Sequence, residues 1–405
     1  MSKRLYNYFF LCISFSVYAQ SYNYNPQGTF KDYAGATVIT SQVRAYRNKA
    51  VLRGTEADKN RAFVLEQFTG IQPSVYPGYN NGFWPAKVPK KIKKIRFNTR
   101  HLDELVNWGV ENNFHILHHC LFFPNKYFPK WFWSSEYSKE ELDTLLVSYI
   151  EDVMNANDNK SKVAAFNVIN EIFEMGKGHY RKDGNLKEDC KWMKMGFEED
   201  QSGLTGSAKI NEQHPVFIRK VFETAAALTD AVLEIRDFNV AFGGHKADGL
   251  YQLVKHLINS GVRIDAVGFQ CHLNVKKNYN YENLYKNIKR FKALGIAVYI
   301  TELDVGLQLW NKGKKRNVSD IITSEEDWDP FFVKQKAVYY DFVKTARAAG
   351  VSLISIWGFR DDIPYSNWRK DQKAWLLNKD YSKKEAYYSF LNALYETKQG
   401  INDPL

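Results

Sequence analysis

Two hydrophobic periods alternate along this chain. Short apolar runs that end abruptly in polar residues read as strands buried on both faces, and segments with apolar residues at helical spacing lie between them. The clearest run is Val163-Ala-Ala-Phe-Asn-Val-Ile, which stops at Asn170-Glu171. Ile296-Ala-Val-Tyr-Ile has the same design and stops at Thr301-Glu302-Leu-Asp304. Further strands are expected over 35–39, 68–73, 114–122, 238–242, 264–270 and 351–357. Helical spacing falls on 99–112, 138–155, 215–236, 249–261, 281–294, 331–349 and 384–395. Ser138-Lys-Glu-Glu141 has capping-box spacing at the start of one helix, and Gly295 and Gly350 sit where two others should stop. Eight strands alternating with helices predict a (β/α)8 TIM barrel, an α/β fold in a single domain over residues 35–400. A polar leader, 20–34, is expected to pack across it. The charged stretch 176–206 reads as a lid or cleft wall.

In such a barrel, residues just past the strands line the mouth where chemistry occurs. One glutamate at a strand end is most simply a salt-bridge partner for a neighbouring helix. Two at matching positions, one of them preceded by Asn170, are the parts of a two-carboxylate glycosidase. Retaining enzymes of that kind hold the carboxyl groups about 5 to 5.5 Å apart, so that one can attack the anomeric carbon. One of the pair is then the nucleophile and the other the general acid, then base; a family resemblance of their two motifs implies Glu302 for the first role and Glu171 for the second. Glu171 needs a raised pKa for this, which burial beside a negative Glu302 would supply.

Composition narrows the partners. Aromatic residues make up 15% of 405 residues, enough both to fill a core and to offer ring faces to sugars in a cleft. The formal charge is +11, with lysines clustered at 87–94 and 312–316. No nucleic-acid motif accompanies the charge, so no nucleic-acid partner is expected; the runs read as solvated surface, or as the rim of a cleft for an acidic polysaccharide. Lys3 and Arg4 precede the apolar run Phe9 to Ala19, which is too short to span a membrane and reads as a signal peptide over 1–19. A lipoprotein signal is the alternative. The protein is therefore expected to be secreted, periplasmic or at the cell surface, with no membrane span, and a monomer. Of the cysteines beyond Cys12, Cys120 and Cys271 lie in apolar runs, and with Cys190 the number is odd; no structural disulfide is expected. His118, His119, Cys120, Cys271 and His272 match no standard zinc spacing, and His118 and His119 point to opposite faces of a strand. Neither metal nor cofactor is expected.

Asn167-Val-Ile-Asn-Glu171 and Ile300-Thr-Glu-Leu-Asp304 resemble, in that order, the acid/base and nucleophile signatures of glycoside hydrolase family 10, the endo-β-1,4-xylanases and their relatives. Leu117-His-His-Cys-Leu, Val267-Gly-Phe-Gln-Cys-His-Leu, Ile356-Trp-Gly and Asn367-Trp-Arg resemble its strands three, six and eight. The resemblance runs from about Gly35 to Leu394. It implies that Asn170 binds the sugar 2-hydroxyl in the −1 subsite and that His119 also contacts that sugar. His272 would orient Glu302, with Gln270 on the same strand face. Trp357 and Trp368 would wall the subsite, and Asp304 would close the strand-seven loop. The pattern departs on substrate binding. The family's Pro-Glu-Asn after strand two is Pro73-Ser74-Val75, and its following lysine falls near Pro77-Gly78. A tryptophan and a glutamine after strand three become Phe123 and Lys126, and Asn-Asp-Tyr after strand five becomes Gly243-Gly244-His245. The expected partner is a β-linked polysaccharide: xylan, or a decorated, mixed-linkage or acidic glycan. A glycan-binding protein without turnover on the same scaffold is the other reading.

Overall fold

The computed structural model describes residues 24–46, 50–78, 82–85, 87, 95–124, 128–173, 191–198, 214–307, 309–311, 314–316, 324, 328–361 and 372–398. Eight parallel strands form a closed (β/α)8 barrel. They are β1 Val38–Val43, β2 Gly70–Pro73, β3 His115–Phe122, β4 Ala165–Asn170, β5 Val232–Asp237, β6 Ala266–Phe269, β7 Ala297–Gly306 and β8 Leu353–Ile356. Each pairs with the next, and β8 returns to β1 with Val38 opposite Leu353.

Successive side chains on a strand point to opposite faces, so each strand feeds two compartments. Outward residues such as Leu233 and Ile235 join the main core between strands and helices. Inward residues form a separate apolar plug of Leu117, Ala165, Ala266, Tyr299 and Leu353, with Val38, Val232 and Ala297 against it. One pleat further along, the inward residues are polar and buried: His119, Asn167, Glu234, Thr301 and Ser355. The interior therefore changes from apolar to hydrogen-bonding towards the carboxyl ends of the strands.

The helix Lys139–Asn155 begins with the expected capping box, Ser138 and Glu141 each bonding the other's backbone N–H. Among the described leader residues, Tyr24 and Phe30 pack against the closing helix Glu385–Glu396. Most aromatic residues are core. Trp84 sits among Phe97, Phe128, Trp131, Phe132 and Tyr149. No helix among the described residues is long and apolar enough to cross a membrane. The segment expected to form a lid lies mostly outside the described residues.

Strand five is a correction. The apolar stretch 238–242 is not the strand; β5 is Val232–Asp237, and the helix before it ends at Ala226. The inward face of β5 carries Glu234 and Arg236 as a mutual ion pair, so the segment lacks the apolar run that marks the other strands. The residues at the end of strand five, to be set against Asn-Asp-Tyr, are therefore Arg236-Asp237-Phe238 and not Gly243-Gly244-His245.

Candidate active site

The end of β4 supplies Asn170 and Glu171. Glu171 is the first residue past the strand and has φ +56°, a left-handed conformation uncommon for a residue with a side chain. Its N–H donates to the Arg236 carbonyl at 2.8 Å, which ties this turn to β5. Asp237 braces the next residues: Oδ2 accepts from the Phe173 N–H at 2.9 Å, and Lys246 pairs with Oδ1 at 2.6 Å.

Glu302 lies in β7 and is 3% exposed. Its backbone N–H donates to the Gln270 carbonyl at 3.0 Å. The Gln270 side chain donates through Nε2 to Asn170 Oδ1 at 3.1 Å and to Glu171 Oε1 at 3.2 Å. One residue thus connects the two glutamates, through its main chain to one and its side chain to the other. Because Asn170 uses its amide oxygen on Gln270, its NH2 group is turned the other way.

Gln270 and His272 both reach the site, but not as neighbours on one strand face. β6 ends at Phe269, Cys271 has φ +62°, and His272–Asn274 is a separate short strand beside β7. His272 donates through Nε2 to Glu302 Oε2 at 3.0 Å and through Nδ1 to Asp304 Oδ2 at 2.9 Å. Burial opposes a charge on this ring, but the two carboxylates outweigh it and push its pKa up to about 9. His272 is an imidazolium at neutral pH. Asp304, fully buried, is thus the counter-ion of that ring, not a loop closure alone.

On the other oxygen of Glu302 stands Arg236, with Nη1 at 3.2 Å from Oε1. Burial would raise the Glu302 pKa, yet the His272 hydrogen bond and the electrostatic influence of His119, His272 and Arg236 hold it below the ordinary glutamate value. Glu302 is thus a carboxylate held between two cations, each of which has a second carboxylate of its own, Glu234 for Arg236 and Asp304 for His272.

His119 and His118 point to opposite sides of β3. His118 packs on Phe83 and Phe166 and bonds the Val75 carbonyl at 2.8 Å. His119 faces the interior, where burial lowers its pKa to about 3 and leaves it uncharged. Asn167 Nδ2 donates to the Ile169 carbonyl, which turns its Oδ1 towards His119 Nδ1 at 3.0 Å and places the ring proton there. Arg236 Nη1 lies 3.0 Å from the same nitrogen. Arg236 Nη1 therefore sits between His119 and Glu302 Oε1, within hydrogen-bond reach of both. Trp357 is buried at the end of β8, edge-on to His119 and near His272, with ring centroids at 5.3 and 5.9 Å. Trp368, Lys126 and Cys190 lie outside the described residues. Cys120 and Cys271 are buried free thiols, and burial raises both pKa values well above the usual range.

Sequence reasoning brought Asn170, Glu171, Gln270, His272, Glu302, His119 and Trp357 to one place. It missed Glu234 and Arg236. The available signal was their i, i+2 spacing in alternation with Leu233 and Ile235, which puts both charges on the inward face.

A closed parallel barrel with two glutamates joined at the carboxyl ends of β4 and β7 defines a glycoside hydrolase. The profile described as "Glycosyl hydrolase family 10" matches residues 79–393, and the chain belongs to that family. "Endo-1,4-beta-xylanase B" of Thermotoga neapolitana is 26% identical over 345 residues, covering 84% of this chain and 85% of that protein. "Endo-1,4-beta-xylanase A" of Thermoanaerobacterium saccharolyticum is 25% identical over 283 residues, 66% of this chain but 21% of that longer protein. Native xylanase 10B of Thermotoga maritima shares the fold with a TM-score of 0.71 at 24% identity, covering 92% of this chain and 99% of that one.

Proposed function

We propose that this protein is a secreted retaining endo-β-glycanase that cleaves β-1,4-xylan or a closely related β-linked polysaccharide. The observation that carries the reading is the bridge from Glu171 through Gln270 to Glu302, with Glu302 held as a carboxylate between two cations. The names of the xylanase relatives supply the substrate class. The basic and apolar run before Ala19 supplies the export signal.

In the first step a Glu302 oxygen attacks the anomeric carbon as Glu171 gives its proton to the glycosidic oxygen. The C–O bond breaks and the leaving chain departs as an alcohol. In the second step Glu171, now a carboxylate, takes a proton from water; the hydroxyl adds to the anomeric carbon and Glu302 is released. The Asn170 NH2 donates to the 2-hydroxyl at −1. His119 Nε2, without a proton, accepts from a hydroxyl of the same sugar, and Trp357 lies against its apolar face. A bond that strengthens in the transition state lowers the barrier, which is the expected part of Asn170. Ser74 in place of the family's acidic residue after β2 alters the glycone side, so the substrate panel includes decorated chains.

The test is a product assay on plain xylan, glucuronic-acid-substituted xylan, mixed-linkage glucan and sulfated polymers, with proton NMR of the first-formed anomer. Oligosaccharides released as the β-anomer are expected, with a loss of at least ~10³-fold, about 4 kcal/mol, in folded Glu302→Ala and Glu171→Ala. Release of the α-anomer first would overturn double displacement. Binding without product from any polymer would turn the assignment to a non-catalytic scaffold.

A further inference from the structure

Arg236 and Glu234 are both fully buried inside the barrel. Arg236 Nε and Nη2 donate to Glu234 Oε1 and Oε2 at 2.7 and 2.9 Å, a two-point fork that fixes the guanidinium plane. That leaves Nη1 aimed at Glu302 Oε1. Room for the fork is made on the next strand. Gly268 is the register partner of Arg236, and a Cβ there would fall 1.8 Å from Glu234 Oε1. Five groups then run in alternating sign through the barrel mouth: Glu234, Arg236, Glu302, His272 and Asp304.

A purely structural ion pair would be complete with Glu234 and Arg236 alone. The third contact is what makes this one different. It takes one oxygen of Glu302 while His272 takes the other, so the carboxylate plane is fixed from both sides. The two cations are not equivalent. His272 can lose its proton, whereas a guanidinium stays charged at every pH a protein survives. Glu234 offsets most of the arginine charge, so the pair acts on Glu302 as an oriented dipole with its positive end foremost. The other groups facing Glu302 do not replace it: His119 is neutral, Cys271 is a buried thiol, Asp304 is the counter-ion of His272, and Glu171 is the proton donor of the first step.

We propose that Arg236, backed by Glu234 and admitted by Gly268, is a positioning residue that fixes Oε1 of the nucleophile and sets the acid limit of the reaction. This rests on Glu302 being the nucleophile. The family's Asn-Asp-Tyr has an uncharged residue at this position, so the device distinguishes this chain from that pattern.

The test is the pH profile of kcat/KM on an aryl β-xylobioside for the mature enzyme, Glu234→Gln/Arg236→Gln and Arg236→Lys. The double variant removes both charges together and leaves no buried ion unpaired, so it retains the fold where Arg236→Gln alone would not. Loss of the cation raises the nucleophile's pKa, so the acid limb of the double variant is expected to move up by about one pH unit. Arg236→Lys keeps the charge but not the fork; its acid limb should stay in place while kcat falls about tenfold. A folded double variant with an unmoved acid limb overturns the proposal. Labelling the wild type with a 2-deoxy-2-fluoro-β-xylobioside separates the two readings. Label on Glu302 with an unmoved limb removes the role of Arg236 alone, and label on another residue overturns both.

Discussion

Asp304 and His272 act as one unit at the residue scale. A histidine buried against one carboxylate could exist in either protonation state, but a second carboxylate on the other nitrogen makes the cation the stable form. Removing that second charge should reverse the balance. Asp304→Asn is expected to drop the His272 pKa by about 2 units, towards its ordinary value of about 6.5. It should also lower kcat about 10- to 100-fold, since Glu302 then loses a charged donor near pH 7. An NMR titration of the His272 ring, read beside kcat, checks both. A ring that still titrates near 9 in the variant would show that Glu302 alone holds the proton.

Strands β5 and β6 show what a pair of elements contributes. Gly268 serves packing, because the space a methyl group would take is occupied by the Glu234 carboxylate, with Thr301 Cγ2 also 2.9 Å away. Gly268→Ala must displace a buried, doubly bonded side chain. Overpacking of this kind costs about 1–3 kcal/mol, and here it should also disturb the Arg236 fork. Urea unfolding measures the first effect; a fall in kcat/KM out of proportion to stability measures the second. An alanine variant with wild-type stability would mean that Glu234 moves aside freely. The same strands mark the limit of what the sequence reveals. β4 and β7 were legible because their inward and outward faces are both largely apolar until the catalytic end, so the glutamates stand out. The capping box at Ser138 was legible because its two bonds are local. β5 was not, because its inward face is satisfied by a residue two positions away and by a glycine on another strand. Hydrophobic periodicity carries no record of that pairing. The pairing of Asp304 was hidden for a related reason, since its partner His272 reaches it only after the turn at Cys271.

Across the whole molecule, histidines placed in opposite electrostatic surroundings give stability a definite pH dependence. His118, His119 and His214 are buried with pKa values lowered to about 4, 3 and 4, with burial the main cause. They stay neutral in the folded state, so as pH falls below about 6.5 the unfolded chain binds protons the folded chain cannot, and stability drops through the range down to their folded values. His272 has the opposite sign. Its folded pKa of about 9 lies above the unfolded value, so its contribution is complete below pH about 6.5 and disappears as pH rises through 9. At 1.36 kcal/mol per unit, His272 alone accounts for about 3 kcal/mol on the alkaline side. The urea midpoint is therefore expected to be highest near pH 6 to 7 and to fall on both sides. Substitution of His272→Gln should lower stability overall but flatten the fall between pH 7 and 9, leaving the acid side steep because the three neutral histidines are untouched. If the alkaline slope survives in that variant, the charge on His272 is not what shapes it. The same proton that orients the Glu302 carboxylate would then have no measurable part in holding the barrel mouth together.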